Sequence, residues 1–325
     1  MTADGSDAAD RTLAPEEAFG ALGNGTRMTI LRVLADADGP LPFSELRDRV
    51  GMEDSGQFNY HLDKLVGHFL ARTDAGYELR KPGDRVVEAV LSGAVTEAPT
   101  LELTEVDEQC FRCGGGVKVG FREERVEAYC TQCDGMYGEG FAETASMRAA
   151  DDDEEYGYLG GFDLPSAGLR DRTPMEALET AYVWARMESF VAACGSCPRC
   201  AAPVEESTIV CEDHDAADGL CEACHSRYAV LREWRCTNCT RWAGHPLYFK
   251  CLTDTAVAAF MLTRGVNPFT DLSTPAHVDY EETLESTDPL AVTYSVSIGD
   301  DSVAVSFDET LAVTSVTGRG AADPS

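Results

Sequence analysis

The chemistry available to this chain is carried first by cysteine. Ten of its 13 cysteines fall in five Cys-x-x-Cys pairs, a spacing that suits metal knuckles better than structural disulfides. Cys110-x-x-Cys113 and Cys130-x-x-Cys133, with sixteen residues between them, offer four soft thiolates on two knuckles joined by the alternating segment Val117 to Tyr129. That is the donor set of a tetrahedral zinc ribbon, and a ribbon this small buries too little apolar surface to fold without its metal. A denser cluster follows. Cys197, Cys200, Cys221, Cys224, Cys236 and Cys239 make three pairs, and Cys211-x-x-His214 repeats their spacing, so that eight donors are present for two further ions. Neighbouring pairs can combine, or pairs can alternate as in a cross-brace, and spacing alone does not decide. The working expectation is alternation: Cys197, Cys200, Cys221 and Cys224 on one ion, Cys211, His214, Cys236 and Cys239 on the other. Three structural Zn2+ ions are therefore expected. Cys194 and Cys251 are left over and read as buried small hydrophobes, with a redox sensor or spare ligand as the alternative. His225 and His245 read as surface residues.

Catalytic zinc keeps an open coordination position beside an acid or base, whereas Cys-rich knuckles are closed. The chain has no HExxH, no phosphate-binding glycine loop and no nucleophile motif. No catalytic residue is assigned, and an enzyme is not expected.

A second set of polar residues lies on a predicted helix from Asp54 to about Phe69, where Asp54 and Gln57 make a capping-box-like start. Phe58, Leu62, Leu65, Val66 and Phe69 fall on one face at helical spacing, and Gln57, Tyr60, His61, Lys64 and His68 on another. Such a helix fits the DNA major groove, with its Gln, His and Lys hydrogen-bonding base edges. A hairpin around Asp74-Ala75-Gly76 follows, so Arg72, Arg80 and Lys81 become candidate wing residues for phosphates or the minor groove. The elements that position this face are predicted from punctuation. Pro15 opens a helix, Gly23-Asn24-Gly25 interrupts it, Thr26 caps a second helix carrying Ile30, Leu31 and Leu34, and Phe43 to Val50 is a third ended by Gly51. Two short helices, the second with a compact polar face, then a hairpin: this is how a winged helix-turn-helix presents itself in sequence.

The run LGNGTRMTILRVLAD and the segment FNYHLDKLV resemble the archaeal branch of the ArsR-like winged-helix transcriptional regulators over roughly residues 14–92. The resemblance implies a homodimer reading palindromic double-stranded DNA, with the helices matching Pro15 to Leu22 and Asp84 to Leu91 forming the dimer. Residues 1–109 contain no cysteine, so the family's metal-sensing thiol box is missing and arsenic or cadmium sensing there is not expected. Residues 152–275, with CPRC and VCEDHD, are similar to zinc-ribbon tails behind such winged helices in haloarchaeal regulators.

Composition frames these sites. With 57 acidic against 26 basic residues, the net charge is −31, which opposes phosphate binding at first sight. Residues 41–90, however, carry seven Lys/Arg and nine Asp/Glu, a net of −2, leaving −29 on the other 275 residues. Acid spread over every module fits a high-salt interior, and a reader working there should lean on base contacts, with a shallow salt dependence. No segment is apolar enough to span a membrane and the N-terminus lacks a signal pattern, so a soluble cytoplasmic protein is expected.

The expected fold class is α+β multidomain: an N-terminal winged helix-turn-helix, small zinc-ribbon β modules and a C-terminal β-meander. The expected divisions are a disordered 1–12, the DNA-binding domain at 13–95, a linker at 96–108, a zinc ribbon at 109–141 and an acidic linker at 142–173. A helix plus Cys-rich zinc-binding domain at 174–275 and a meander and tail at 276–325 complete the chain. The expected function is a DNA-binding transcriptional regulator. The alternatives are a general transcription initiation factor built of winged helix plus zinc ribbon, and a zinc-dependent protein-interaction adaptor. A transcription-machinery protein is a further candidate partner.

Overall fold

The computed structural model describes residues 13–138, 156–217, 219–268 and 278–319, and the chain divides between Glu97 and Ala98 into two compact units. The segment expected to be disordered, 1–12, lies outside the described residues.

In the first unit, helix α1 (Pro15–Leu22) begins on its proline. Helix α2 (Gly25–Ala35) is capped by Asn24, whose side chain accepts from the Arg27 N–H at 3.2 Å, so the cap falls two residues before the expected Thr26. Asn accepts the orphan N–H as well as Thr does. The Arg27 side chain turns back, donating to the Ala21 carbonyl and to that of Gly20 at 2.9 Å, and so satisfies the end of α1. Helix α3 (Phe43–Val50) stops at Gly51, in the left-handed region at φ 76°. Helix α4 (Ser55–Leu65) is capped by Asp54, which accepts from Gln57 N at 2.9 Å. It ends four residues short of the expected Phe69, because Val66 is extended and Gly67 takes φ 96°.

Strands β1 (Leu70–Thr73) and β2 (Gly76–Leu79) form a hairpin turning at Asp74-Ala75, and helix α5 (Lys81–Leu91) follows. Leu41 pairs with Tyr77 through two backbone hydrogen bonds of 3.0 and 2.8 Å, tying the loop before α3 to the hairpin. Gly76 is required there: a Cβ would lie 2.2 Å from the Leu41 carbonyl oxygen. Ile30, Leu31, Leu46, Phe58, Leu62, Leu65 and Leu70 form the dry centre of the unit.

Among the described residues, the second unit holds three antiparallel sheets. The first is a meander of β3 (Leu101–Gln109), β4 (Gly116–Arg122), β5 (Arg125–Cys130) and β6 (Gly157–Asp163). Helix α6 (Pro174–Ala193), opened by a Thr173–Glu176 capping box, lays Ala177, Leu178 and Ala181 against Val119, Phe121 and Val126 of that sheet. The expected linkers at 96–108 and 142–173 are therefore corrected in part, since each contributes a strand. Acidic residues on the open face disguise β3. In β6, glycines lower β-propensity, yet a Cβ at Gly157 would sit 1.9 Å from the Cys133 carbonyl oxygen. Residues 139–155 of the ribbon end and second linker lie outside the described residues.

The second sheet is β7 (Val204–Val210), β8 (Val230–Cys236) and β9 (Trp242–Pro246). After the short helix α7 (Tyr248–Cys251) and helix α8 (Thr255–Thr263), the third sheet runs β10 (Asp279–Thr287), β11 (Leu290–Ile298), β12 (Asp301–Phe307), β13 (Val313–Arg319). Val292, Tyr294, Val296, Val303, Val305 and Phe307 pack on Val257, Phe260 and Met261 of α8. In sequence, Ala291 to Thr317 reads as three short alternating runs; the further strand, β10, alternates as DYEETLEST but is too acidic to read as one. Among the described residues no helix is long and apolar enough to cross a membrane.

Candidate functional site

Three four-donor clusters assemble in the second unit, each with its ligand atoms within 4.8 Å of one another: Cys110/Cys113/Cys130/Cys133, Cys197/Cys200/Cys236/Cys239 and Cys211/His214/Cys221/Cys224. A tetrahedral ion with metal–sulfur bonds of about 2.3 Å has S···S edges of about 3.8 Å, whereas a disulfide is about 2.05 Å. The observed separations are tetrahedral edges. Cys110–Cys133 is 3.8 Å, Cys113–Cys130 3.5 Å, Cys197–Cys239 3.7 Å, Cys200–Cys236 3.5 Å and Cys211–Cys221 4.0 Å, with Cys224 Sγ 3.4 Å from His214 Nδ1. All thirteen cysteines are free of disulfides.

Backbone N–H groups turn inward on these thiols. Cys130 Sγ accepts from Gln132 N and Cys133 N, both at 3.3 Å, and Cys236 Sγ from Asn238 N and Cys239 N, also at 3.3 Å. Each knuckle thereby supplies fixed positive dipoles to a thiolate. The N–H of Cys239, then that of Asn238, draws the Cys236 thiol down to about 6. Burial would raise Cys130, but the N–H groups of Cys133 and Gln132 outweigh it and bring the thiol to about 7. Cys221 is brought to about 7, chiefly by the Asp215 N–H. Each cluster thus holds a thiol that backbone N–H groups draw toward the thiolate, the form that ligates a metal.

The pairing of the second and third clusters corrects the expected alternation. The donors nest, the outer pairs sharing one site and the inner pairs the other. Strand register forces this. Val204 pairs with Cys236 and Val210 with Val230, so the residues before β7 meet those after β8, and those after β7 meet those before β8. The two sites cap opposite ends of one hairpin.

The first cluster joins the third directly. Arg227 donates from Nε to the Gly135 carbonyl at 2.6 Å and from Nη1 to that of Gly219 at 2.8 Å, while Gly138 N donates to the His225 carbonyl at 2.7 Å. At the second cluster, Arg241 bridges Asp163 of β6 and Glu188 of α6, and Arg199 reaches Glu188 at 3.3 Å. Of the spare cysteines, Cys251 is buried in the core, where burial raises its thiol, whereas Cys194 is exposed at the end of α6. His225 is exposed. His245 departs from the surface expectation: it is half-buried against Phe249 with Ser189 Oγ 3.2 Å from Nε2, and burial, then neighbouring arginines, lower it to about 3.

In the first unit, α4 presents Gln57, Tyr60 and Lys64 to solvent, with Lys64 Nζ 5.5 Å from the Tyr60 ring centre. Arg72, Arg80 and Lys81 are exposed at the hairpin and its root. Arg80 donates to the Gly67 carbonyl and Lys81 pairs with Asp84. Two expected readers sit elsewhere. His61 is 7% exposed, its Nδ1 without a hydrogen-bond partner, because at the end of the polar arc its ring turns under the helix into the core. His68 is half-buried beside Phe69, beyond the end of α4.

Residues 15–90 match the family described as a domain of unknown function, DUF7347, and residues 107–313 match a second, the domain of unknown function DUF7351. No curated protein and no solved structure matches the chain. The second match runs from β3 to β13, takes in all three cysteine clusters and covers 207 of the 325 residues, so the chain belongs to the DUF7351 family.

Proposed function

We propose that the protein is a DNA-binding transcriptional regulator whose first unit is a winged helix-turn-helix and whose second unit is built around three structural zinc ions. The observation that carries the DNA-reading half is the outer face of α4. Gln57, Tyr60 and Lys64 stand exposed on a helix whose opposite face is anchored by Phe58, Leu62 and Leu65, and a hairpin bearing exposed Arg72 follows it. A rigid helix with a short polar ridge is what major-groove reading requires, and a cationic hairpin beside it can follow the adjacent backbone. Outward-facing apolar residues support a homodimer: Phe19 of α1 is 74% exposed, Leu91 at the end of α5 is 49% exposed, and Val95 in the turn after it is 71% exposed. These are the helices that the ArsR-like resemblance assigns to dimerisation.

The zinc assignment rests on donor chemistry. Two sets of four thiols and one of three thiols with an imidazole, spaced as tetrahedral edges, suit Zn2+; four protein ligands leave no open position for substrate, so the ions hold loops together. Selection of bound duplexes from a random pool by the intact protein in concentrated KCl tests the proposal. Enrichment of a palindromic sequence by the wild type, lost in a Gln57→Ala/Lys64→Ala protein that keeps its metal, is expected. Recovery of unenriched pools by both proteins would refute DNA reading.

A further inference from the structure

The second unit contains a cleft of about 930 Å³ that borders the third metal cluster at His214 but is lined for the most part by residues that no cluster uses. It is lined by Tyr137, Tyr182, Tyr228, Tyr248 and Tyr280, which arrive from the loop after β5, from α6, from the loop before β8, from α7 and from β10. Five of the chain's 11 tyrosines converge on one cavity. Their rings are close: Tyr248 lies 4.8 Å from Tyr280 and 5.9 Å from Tyr228, centre to centre. Burial holds the phenols of Tyr137 and Tyr248 well above their ordinary range, so they stay neutral and present electron-rich faces. One ring is already in such use, for the Arg186 guanidinium sits 4.2 Å from the centre of Tyr182.

A half-buried carboxyl group from β10, Glu282, stands among these rings. Its Oε1 accepts from Ala229 N at 2.5 Å and its Oε2 from the Tyr294 hydroxyl, which fixes the group and leaves acceptor capacity, since a carboxylate has about four lone-pair sites. Burial raises its pKa to about 7, so near neutrality the group is divided between acid and carboxylate, and an ammonium beside it would draw it to the carboxylate. Further acid lines the cleft in Asp279 and Glu281, both exposed. The cations lining it are Arg112 and Arg227, and Arg227 is committed to the Gly135 and Gly219 carbonyls.

We propose that this cleft binds a small organic cation, an apolar or aromatic body bearing an ammonium group, with the body against the tyrosine rings and the ammonium at Glu282. The volume is that of a site for a drug-sized molecule. Ammonium groups are held by aromatic faces within about 6 Å, and most strongly where water is excluded. An organic anion would meet Glu282 and the acidic wall, and a neutral molecule would offer no charge to pair with a Glu282 carboxylate. The inference stands independently of DNA reading.

Isothermal titration of the intact, metal-loaded protein at fixed KCl tests it with three probes of similar size: 2-phenylethyltrimethylammonium, 3-phenyl-1-propanol and 3-phenylpropionate. The cation should bind at least ten-fold more tightly than either analogue. Glu282→Gln, which keeps an oxygen for Ala229 N, and Tyr280→Leu should each weaken it ten-fold or more, with metal content and tryptophan emission unchanged as controls of folding. Equal or tighter binding of the alcohol or the acid, no binding of the cation by folded protein, or cation affinity unaltered in Glu282→Gln would overturn the inference.

Discussion

His61 and Lys64 lie three residues apart on α4 and meet opposite surroundings. Lys64 is exposed beside Tyr60, whereas His61 is buried with an unpartnered Nδ1. Leaving a buried polar atom unsatisfied costs about 1–3 kcal/mol. His61→Leu should therefore keep DNA affinity within about two-fold and raise the melting temperature by a few degrees, in line with about 1 kcal/mol. Lys64→Ala should leave melting unchanged and weaken binding roughly ten-fold, the scale of one lost groove contact. Anisotropy titration and thermal unfolding of both variants separate the roles, and a reversal of these effects would make His61 the reader. Chemistry at the residue scale was legible where residue type dictates it. All twelve metal donors are visible in spacing, because a knuckle is local. The tyrosine cleft was not, since its five rings come from positions spread between 137 and 280.

Elements decide what spacing leaves open. The nested ligand sets follow from β7 and β8 forming one antiparallel hairpin, a long-range register that Cys-x-x-Cys motifs do not encode. Strands β3, β6 and β10 escaped for a related reason. Each draws on acidic or glycine-rich sequence, and each becomes a strand through its neighbours' hydrogen bonds and one buried face. Caps and turns were more readable: Pro15, Gly51, Asp54 and Gly76 do what their conformational preferences suggest, although Asn24 took the place expected for Thr26. His245 on β9 yields a pH prediction. Its folded pKa, about 3, lies below the ordinary value of 6.5, so the unfolded chain binds the extra proton between those values and stability falls as pH drops through that window. From pH 7 to pH 5 the wild type should lose about 2 kcal/mol relative to His245→Phe, measured by denaturant unfolding. An equal pH response in the two proteins would place the imidazole in solvent.

The whole molecule separates its two chemistries by unit. All metal donors and all three tryptophans, Trp184, Trp234 and Trp242, belong to the second unit, and none to the first. A strong chelator should remove three ions per chain and shift tryptophan emission, while the first unit keeps its helical signal; native mass spectrometry and circular dichroism read the two effects. Any one of Cys130→Ser, Cys200→Ser or Cys224→Ser should lower the metal count by one. Exposed cations at the β1–β2 hairpin and its root are few, and two of them, Arg80 and Lys81, already have partners within the chain. Three cations per protomer would set a dimer's log–log salt slope near about −5 at most, so a shallower slope is expected. The most direct test of regulation is genome-wide sequencing of DNA bound by the intact protein in cells, beside a Gln57→Ala/Lys64→Ala protein. A small number of palindromic sites occupied by the wild type and vacated by the variant is the expected result. Occupancy of most promoters would make the protein a general initiation factor, and occupancy indifferent to α4 would contradict DNA reading through that helix.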